Sequence, residues 1–293
     1  MSLRPYIYLV SLALLVCGCE RVVFDEEELL QTGADDAPAK DKLTVIVSRL
    51  AETPFSEHTA DVCSRFNFAI YNRAGERLKQ VNQKLGDSHY GTASFQLDEG
   101  DYQVVVIGHS SSKNPTMTNP AKIQFNNSIG YTETFLYHTT LTVDEAPLTL
   151  AAPLERIVSM CRFVINDQIP GKVQQIRFQY KGGSGHFNAV TGLGVTNSTQ
   201  LVTHGATPGK AYTSYDLYTF LHDTKGTVRL TVTALDAGGS TICERQFDVP
   251  LQRNQITWLC GNFFPHPTSD TLWTVIPAIP FDHQWAGETY LTY

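Results

Sequence analysis

The residues around Cys19 are the part of this sequence whose types and spacing most clearly predict chemistry. Arg4 places a positive charge near the N-terminus, and an apolar run extends from Tyr6 to Val16 before the small residue Gly18. A charged start, a short apolar core and a small residue before a cut are typical of a secretory signal peptide. The run is too short to cross a bilayer, because a spanning helix needs about 20 apolar residues.

The four residues Val16-Cys17-Gly18-Cys19 resemble a bacterial lipobox, in which the final cysteine receives lipid. Cys17 is the poorer acceptor because the bulky Val16 precedes it. We therefore predict signal cleavage between Gly18 and Cys19. The resemblance implies that Cys19 becomes an S-diacylglycerol and N-palmitoyl cysteine, and stable anchoring does need more than one acyl chain. An ordinary signal peptide with two incidental cysteines is the alternative.

Other residue types that could do chemistry lack the spacing to do it. No two of the nine histidines share a metal-ligand spacing such as HxH or HxxxH. The acidic clusters Asp35-Asp36, Asp98–Asp101 and Asp144-Glu145 do not match an EF-hand, although loop calcium remains an alternative. Gly182–Gly185 is predicted to be a glycine turn rather than a nucleophile elbow or a phosphate loop. We predict no catalytic residue, no metal and no cofactor apart from the lipid on Cys19.

Composition excludes several classes of partner. The chain has 293 residues and a net charge of −7, without a basic cluster, so it should not bind nucleic acid. Its hydrophobic content of 42% is sufficient for a globular core, and its charged content of 17% is low, as in many exported β proteins. An acidic surface would not bind an anionic membrane, so membrane attachment must come from the lipid.

Four further cysteines could form disulfides in an exported protein, namely Cys63, Cys161, Cys243 and Cys260. Four cysteines allow three complete pairings, and the sequence does not choose among them. Cys161 and Cys260 fall in the first and last predicted strands of the second half and could be neighbours. Buried free thiols are the alternative.

Alternating apolar residues and glycine-rich or asparagine-rich turns predict an all-β chain, and no segment shows a sustained helical period. The predicted strands are Leu43–Val47, Phe66–Tyr71, Leu78–Val81, Thr92–Leu97, Tyr102–Gly108, Thr139–Val143, Leu148–Leu154, Val158–Ile165, Val173–Tyr180, Tyr215–Leu221, Val228–Leu235, Ile242–Val249 and Ile256–Cys260. Short strands separated by such turns are typical of β-sandwiches.

A weak internal repeat suggests two domains of one design. Leu97–Gly108 and Leu251–Gly261 each consist of a leucine, a turn and an apolar run that ends in glycine. The tail is expected to pack on the second sandwich or to pair with an edge strand, because its prolines exclude a central position. The predicted segments are a lipoprotein signal peptide (1–18), an acidic tether (19–41), an N-terminal β-sandwich (42–154), a C-terminal β-sandwich (155–267) and an apolar C-terminal tail (268–293).

The order of these pieces resembles the FimB/Mfa2-type fimbrial anchor lipoproteins of Bacteroidetes. The residues that carry the resemblance are Phe68–Asn72, Leu97–Gly108, Ile169–Val173, Phe178–Asn188, Thr191-Gly192, Asn197–Thr199 and Arg253–Ile256. The resemblance implies two tandem transthyretin-like β-sandwich domains and a surface-exposed position in the cell outer membrane, at the base of a fimbrium. It also implies that the partners are fimbrial stalk (pilin) subunits, bound by β-strand addition, and that the protein is not an enzyme.

Two other functions compete with an anchor. A surface glycan-binding lipoprotein could use Trp258, Trp273 and Trp285 as a stacking platform, although packing in the core is the preferred explanation for these residues. A fimbrial tip or adhesin subunit of the same superfamily is the other alternative.

Overall fold

The computed structural model describes residues 42–50, 53–54, 62–126, 130–265 and 285–293, and none of these forms a helix that could span a membrane. The first part of the chain contains the strands β1 (Leu43–Leu50), β2 (Thr53–Pro54), β3 (Arg65–Asn72), β4 (Arg77–Lys84), β5 (Thr92–Phe95), β6 (Gly100–His109), β7 (Ile123–Gln124), β8 (Thr134–Val143) and β9 (Leu148–Arg156). The second part contains β10 (Ser159–Ile165), β11 (Gln175–Ser184), β12 (His186–Phe187), β13 (Asn197–Gly205), β14 (Thr213–Thr219), β15 (Lys225–Leu235), β16 (Thr241–Gln252), β17 (Ile256–Gly261) and β18 (Glu288–Thr292).

The two parts repeat one strand order. In the first, β1 lies between an antiparallel β5 and a parallel β9, and the facing sheet runs β4-β3-β6-β8. In the second, β10 lies between an antiparallel β14 and a parallel β17, and the facing sheet runs β13-β11-β15-β16. The predicted all-β fold with two sandwiches is therefore confirmed.

The sequence repeat, however, matched the wrong strands. It aligned β6 with β17, whereas strand order makes β15 the counterpart of β6 and β9 the counterpart of β17. The two aligned segments share an apolar run because β17 and the second half of β6 are both buried on two faces. They do not occupy the same place in the fold.

Three clusters of buried side chains hold the described body together. One fills the first sandwich, a second fills the second sandwich, and the third lies between the two. Strand β3 contributes to two of them, with Phe66 and Phe68 inside the first sandwich and Ala69 and Tyr71 between the sandwiches. Strand β3 therefore does not show a polar face.

Residues from both sandwiches interlock at this shared cluster. Strand β7, from the loop after β6, pairs with β12 of the second part. The rings of Phe125, Phe187 and Phe220 stack with centroids 5.0 to 6.3 Å apart. The Tyr71 hydroxyl also donates a hydrogen bond of 2.7 Å to the Met117 carbonyl. These contacts make the described residues one compact unit.

The predicted glycine turn at Lys181–Gly185 is wrong. Strand β11 continues through Ser184 and pairs with β13, with a bulge between Lys181 and Gly183. Gly182 has a φ of +103°, and a Cβ there would lie 2.8 Å from the Thr227 carbonyl oxygen. Glycine is needed for a bulge under a neighbouring backbone, not for a reversal of the chain.

The described end of the tail forms an edge strand, as predicted. Strand β18 pairs in parallel with β17, next to the second sandwich. The Tyr293 hydroxyl donates a hydrogen bond of 3.0 Å to the Val164 carbonyl, and its ring stacks on Phe163 at 5.0 Å. The tail is therefore fixed to the core as well as to the sheet.

Candidate functional site

The predicted lipidation site lies outside the described residues. Gly18 and Cys19, together with the tether, precede the first described residue, Lys42. Cleavage before Cys19 and lipidation of its thiol therefore stay predictions.

The four cysteines that could have paired are all free. Cys161 and Cys260 lie on neighbouring strands, but Cys161 faces the core of the second sandwich and Cys260 faces the cluster between the sandwiches. Burial raises the pKa of Cys161 to about 12, with smaller contributions from Asp216 and Cys260. Burial also raises the pKa values of Cys63, Cys243 and Cys260, so none of these thiols is activated as a nucleophile.

His109 is a buried, neutral histidine at the start of the loop that reaches the second sandwich. Its Nδ1 accepts a hydrogen bond from the Ser111 amide at 3.0 Å, so Nε2 carries the proton that it donates to Asn67 Oδ1 at 2.8 Å. Its ring meets Phe125 edge to face at 4.9 Å. Burial, and next the charge of Arg65, lower the pKa of His109 to about 3. This histidine supports the junction.

Within the part of the chain that the structure describes, no three His, Cys, Asp or Glu side chains gather as metal ligands. Glu99 of the predicted acidic turn forms an ion pair of 3.6 Å with Lys42, and Asp101 accepts a hydrogen bond of 2.7 Å from the Thr142 hydroxyl. These carboxylates tie the turn before β6 to adjacent segments.

The tryptophan platform is wrong for the two tryptophans that the structure describes. Trp258 is 2% exposed and Trp285 is 6% exposed. Tyr290 of β18 stacks on the Trp258 ring at 5.7 Å, and the Arg162 guanidinium lies 4.8 Å from the same ring. Because both indoles are buried, neither can stack on a sugar. Trp273 lies outside the described residues.

Arg156 is a functional-looking residue that the sequence reasoning missed. It is 2% exposed and forms an ion pair with Glu133, with Nε at 2.7 Å from the carboxylate. Its Nη1 donates to Asn254 Oδ1 at 2.9 Å, and its guanidinium lies 4.1 Å from the Trp285 ring. One cation thus joins the first sandwich, the second sandwich and the tail. An arginine inside the apolar segment Leu154–Met160 was the signal for a buried partner.

A polar groove of about 350 Å³ lies between the two sandwiches. Strands β8 and β9 supply Tyr137, His138 and Glu155, and the second sandwich supplies Thr191 and Arg253. Arg253 donates a hydrogen bond of 2.9 Å to the Thr191 carbonyl, so its guanidinium already holds one wall of the groove.

The sheet edges are the surfaces where strand addition could occur. Two are short, since β2 has two residues and β5 has four. Charged residues or proline interrupt other edges in the described body: β4 (Arg77, Lys79, Lys84), β14 (Asp216), β16 (Glu244, Arg245, Asp248, Pro250) and β18 (Glu288). Strand β13 has nine residues and contains neither a charge nor a proline. Charges, prolines and short lengths are the usual means of blocking unwanted pairing at an edge.

Several solved structures share this fold. A candidate adhesin from Bacteroides ovatus matches 74% of this chain and 87% of its own, with a TM-score of 0.51 and 16% identity. A candidate polysaccharide-binding protein (DUF1812) from Bacteroides thetaiotaomicron matches 69% and 78%, with a TM-score of 0.49 and 12% identity. The fimbrial anchor protein Mfa2 from Porphyromonas gingivalis matches 69% and 80%, with a TM-score of 0.43 and 13% identity.

Sequence comparison is more specific about the family than about function. A search of curated proteins found no match to this chain. The sequence profile of a family of unknown function, DUF6562, matches residues 37–292. Because this match covers most of the chain, the protein belongs to the DUF6562 family.

Proposed function

We propose that this protein is a structural subunit that ties a fimbrium to the cell outer membrane. Cys19 carries the lipid, 20–41 spaces the body from the membrane, and the double sandwich binds a pilin subunit by β-strand addition. The protein acts at the base of the fimbrium and on the cell surface, as an anchor of the FimB/Mfa2 type and not as an enzyme.

The observation that carries this proposal is the order of the parts. A lipobox-like sequence ends at Cys19, an acidic segment follows, and the body then forms two sandwiches with one strand order. The fold of that body is shared with a candidate adhesin of Bacteroides ovatus. The interlocked junction supports a role under tension, because neither sandwich has to move for the other to be held.

Replacement of Cys19 tests the proposal in the native cell. Cys19→Ala should abolish incorporation of labelled palmitate, release the protein from the outer membrane and shed the fimbriae with it. Cys17→Ala is the matched control, since it changes the neighbouring thiol and should leave labelling, location and fimbriae unchanged. Fimbriae that remain attached to Cys19→Ala cells would refute the anchor function.

A tip or adhesin subunit is the second candidate, because the shared fold with a TM-score of 0.51 belongs to a candidate adhesin. Immunogold labelling of fimbriated cells separates the two positions. An anchor is labelled where the fimbrium meets the cell, whereas a tip subunit is labelled at the distal end of fimbriae sheared from the surface.

A further inference from the structure

Two equivalent edge strands of this protein are protected to different degrees. Strands β4 and β13 occupy the same position, each beside the second long strand of its sandwich. Strand β4 carries three cations, at Arg77, Lys79 and Lys84, and β13 carries none. Because unprotected edges pair with other chains, the difference marks β13 as the edge left open.

Resting on the proposed function, we infer that β13 is the strand that accepts the pilin segment. Its outward face presents Leu201, which is 51% exposed, next to Thr203. Strand addition needs free backbone groups along an edge and side chains that a partner can pack on. Among the described residues, β11 is the neighbour of β13 in the sheet.

Unpaired polar groups line the same border of the second sandwich. Strand β14 is the edge of the facing sheet, and Tyr215 on it meets the His204 ring of β13 at 5.4 Å. The Tyr215 hydroxyl, Thr213 Oγ1 and His204 Nε2 are buried without a hydrogen-bond partner in the described body. Buried polar groups normally find partners. Hydroxyl or amide side chains on the inward face of an incoming strand would supply them.

The charges beside β13 define the chemistry of the incoming strand. Arg177 and Lys181 of β11 pair in register with Thr203 and Thr199, so both cations lie on the outward face. A strand added to β13 lies two strand spacings from β11, about 9.6 Å away, within reach of these long side chains over the short threonines. The occupant is therefore an extended pilin segment with acidic residues on its outward face.

The same charges argue against a second copy of this chain. If two β13 strands paired antiparallel about Leu201, Arg177 of one copy would face Lys181 of the other, and the reverse. Like charges across neighbouring strands are destabilising. The edge thus discriminates between its own kind and an acidic partner.

Matched substitutions on the two edges test the inference in fimbriated cells. Leu201→Glu places a like charge against an acidic partner strand on β13, and Leu78→Glu makes the same change on β4, where Leu78 is 46% exposed. Since both leucines are exposed, both full-length variants should keep the parental melting temperature and membrane location. Leu201→Glu should shed fimbriae into the medium, and Leu78→Glu should retain them.

Charge reversal at Arg177 and Lys181 provides an independent test. The double variant Arg177→Glu/Lys181→Glu should release fimbriae at an ionic strength that leaves parental cells fimbriated, because an acidic strand then meets like charges. Reversal of Arg77 and Lys79 on β4 is the control and should change nothing.

The outcomes separate this inference from the proposed function. If Leu201→Glu cells keep their fimbriae while Cys19→Ala cells lose them, β13 is not the acceptor and the anchor function stands. Shedding by Leu78→Glu cells would likewise overturn the choice of β13. If Cys19→Ala cells keep their fimbriae, the proposed function fails and the inference fails with it.

Discussion

The close approach of Tyr293 to Gly261 predicts a substitution whose effect should change sign. A Cβ on Gly261 would lie 2.3 Å from the Tyr293 backbone oxygen and 2.8 Å from its ring. Gly261 does not need a positive φ, so alanine is compatible with its own backbone. Gly261→Ala should therefore expel Tyr293 and leave the rest of β17 in place.

The cost follows from what Tyr293 loses. It gives up its hydrogen bond to the Val164 carbonyl, its stacking on Phe163 and its contact with the Arg245 guanidinium, which lies 4.9 Å from the ring. Each of these contributes on the order of 1 kcal/mol. The free energy of unfolding should fall by about 3 kcal/mol, which lowers the melting temperature by roughly 6 to 12 °C.

A double-mutant cycle decides whether this reasoning is right. In a chain that ends at Thr292, the atoms that collide with the added methyl group are gone, so Gly261→Ala should become neutral or stabilise by about 0.5 kcal/mol. Tyr293→Ala should not rescue it fully, because the backbone oxygen stays. If Gly261→Ala and the truncation destabilise additively in thermal melts, the collision is not the cause.

The remaining predictions concern the junction and the bulge. Because burial lowers the pKa of His109 to about 3, the unfolded chain takes up a proton that the folded chain does not as the pH falls. The free energy of unfolding should decrease by about 2 kcal/mol between pH 7 and pH 5, and His109→Gln should flatten that slope in urea titrations. Arg156→Met should cost about 3 kcal/mol through the lost buried ion pair, with part recovered by adding Glu133→Gln, measured by denaturant midpoint. Gly182→Ala should cost about 2 kcal/mol, against about 1 kcal/mol for Gly209→Ala, because both have positive φ but only Gly182 faces a neighbouring carbonyl oxygen; equal losses in thermal melts would contradict this.

The sequence predicted strands best where both the residue types and the alternation were strong. Predicted Phe66–Tyr71 became Arg65–Asn72, and predicted Val158–Ile165 became Ser159–Ile165. Strand β13 was missed because Asn197–Gly205 is largely polar and pairs with one neighbour, so hydrophobic periodicity barely marks it. The edge that matters most to the proposed binding was thus the least visible in the sequence.

Packing between the sandwiches could not be derived from local patterns. Alternation on β3 identified two faces, but the sequence did not say that the second face would be covered by another sandwich. For the same reason Trp258 and Trp285 could be read as a platform or as core. Their burial depends on β18 and Arg156, which are distant in sequence from at least one of them.

The parallel pairing of β1 with β9 has a mechanical consequence. The chain enters the first sandwich at the start of β1 and leaves it at the end of β9, and these two points lie at opposite ends of the same pair. Tension applied between them loads the ladder from Leu43 to Leu50 in shear, so its bonds must fail together and not one after another. The second sandwich repeats the arrangement with β10 and β17. A protein built in this way resists being pulled from either end.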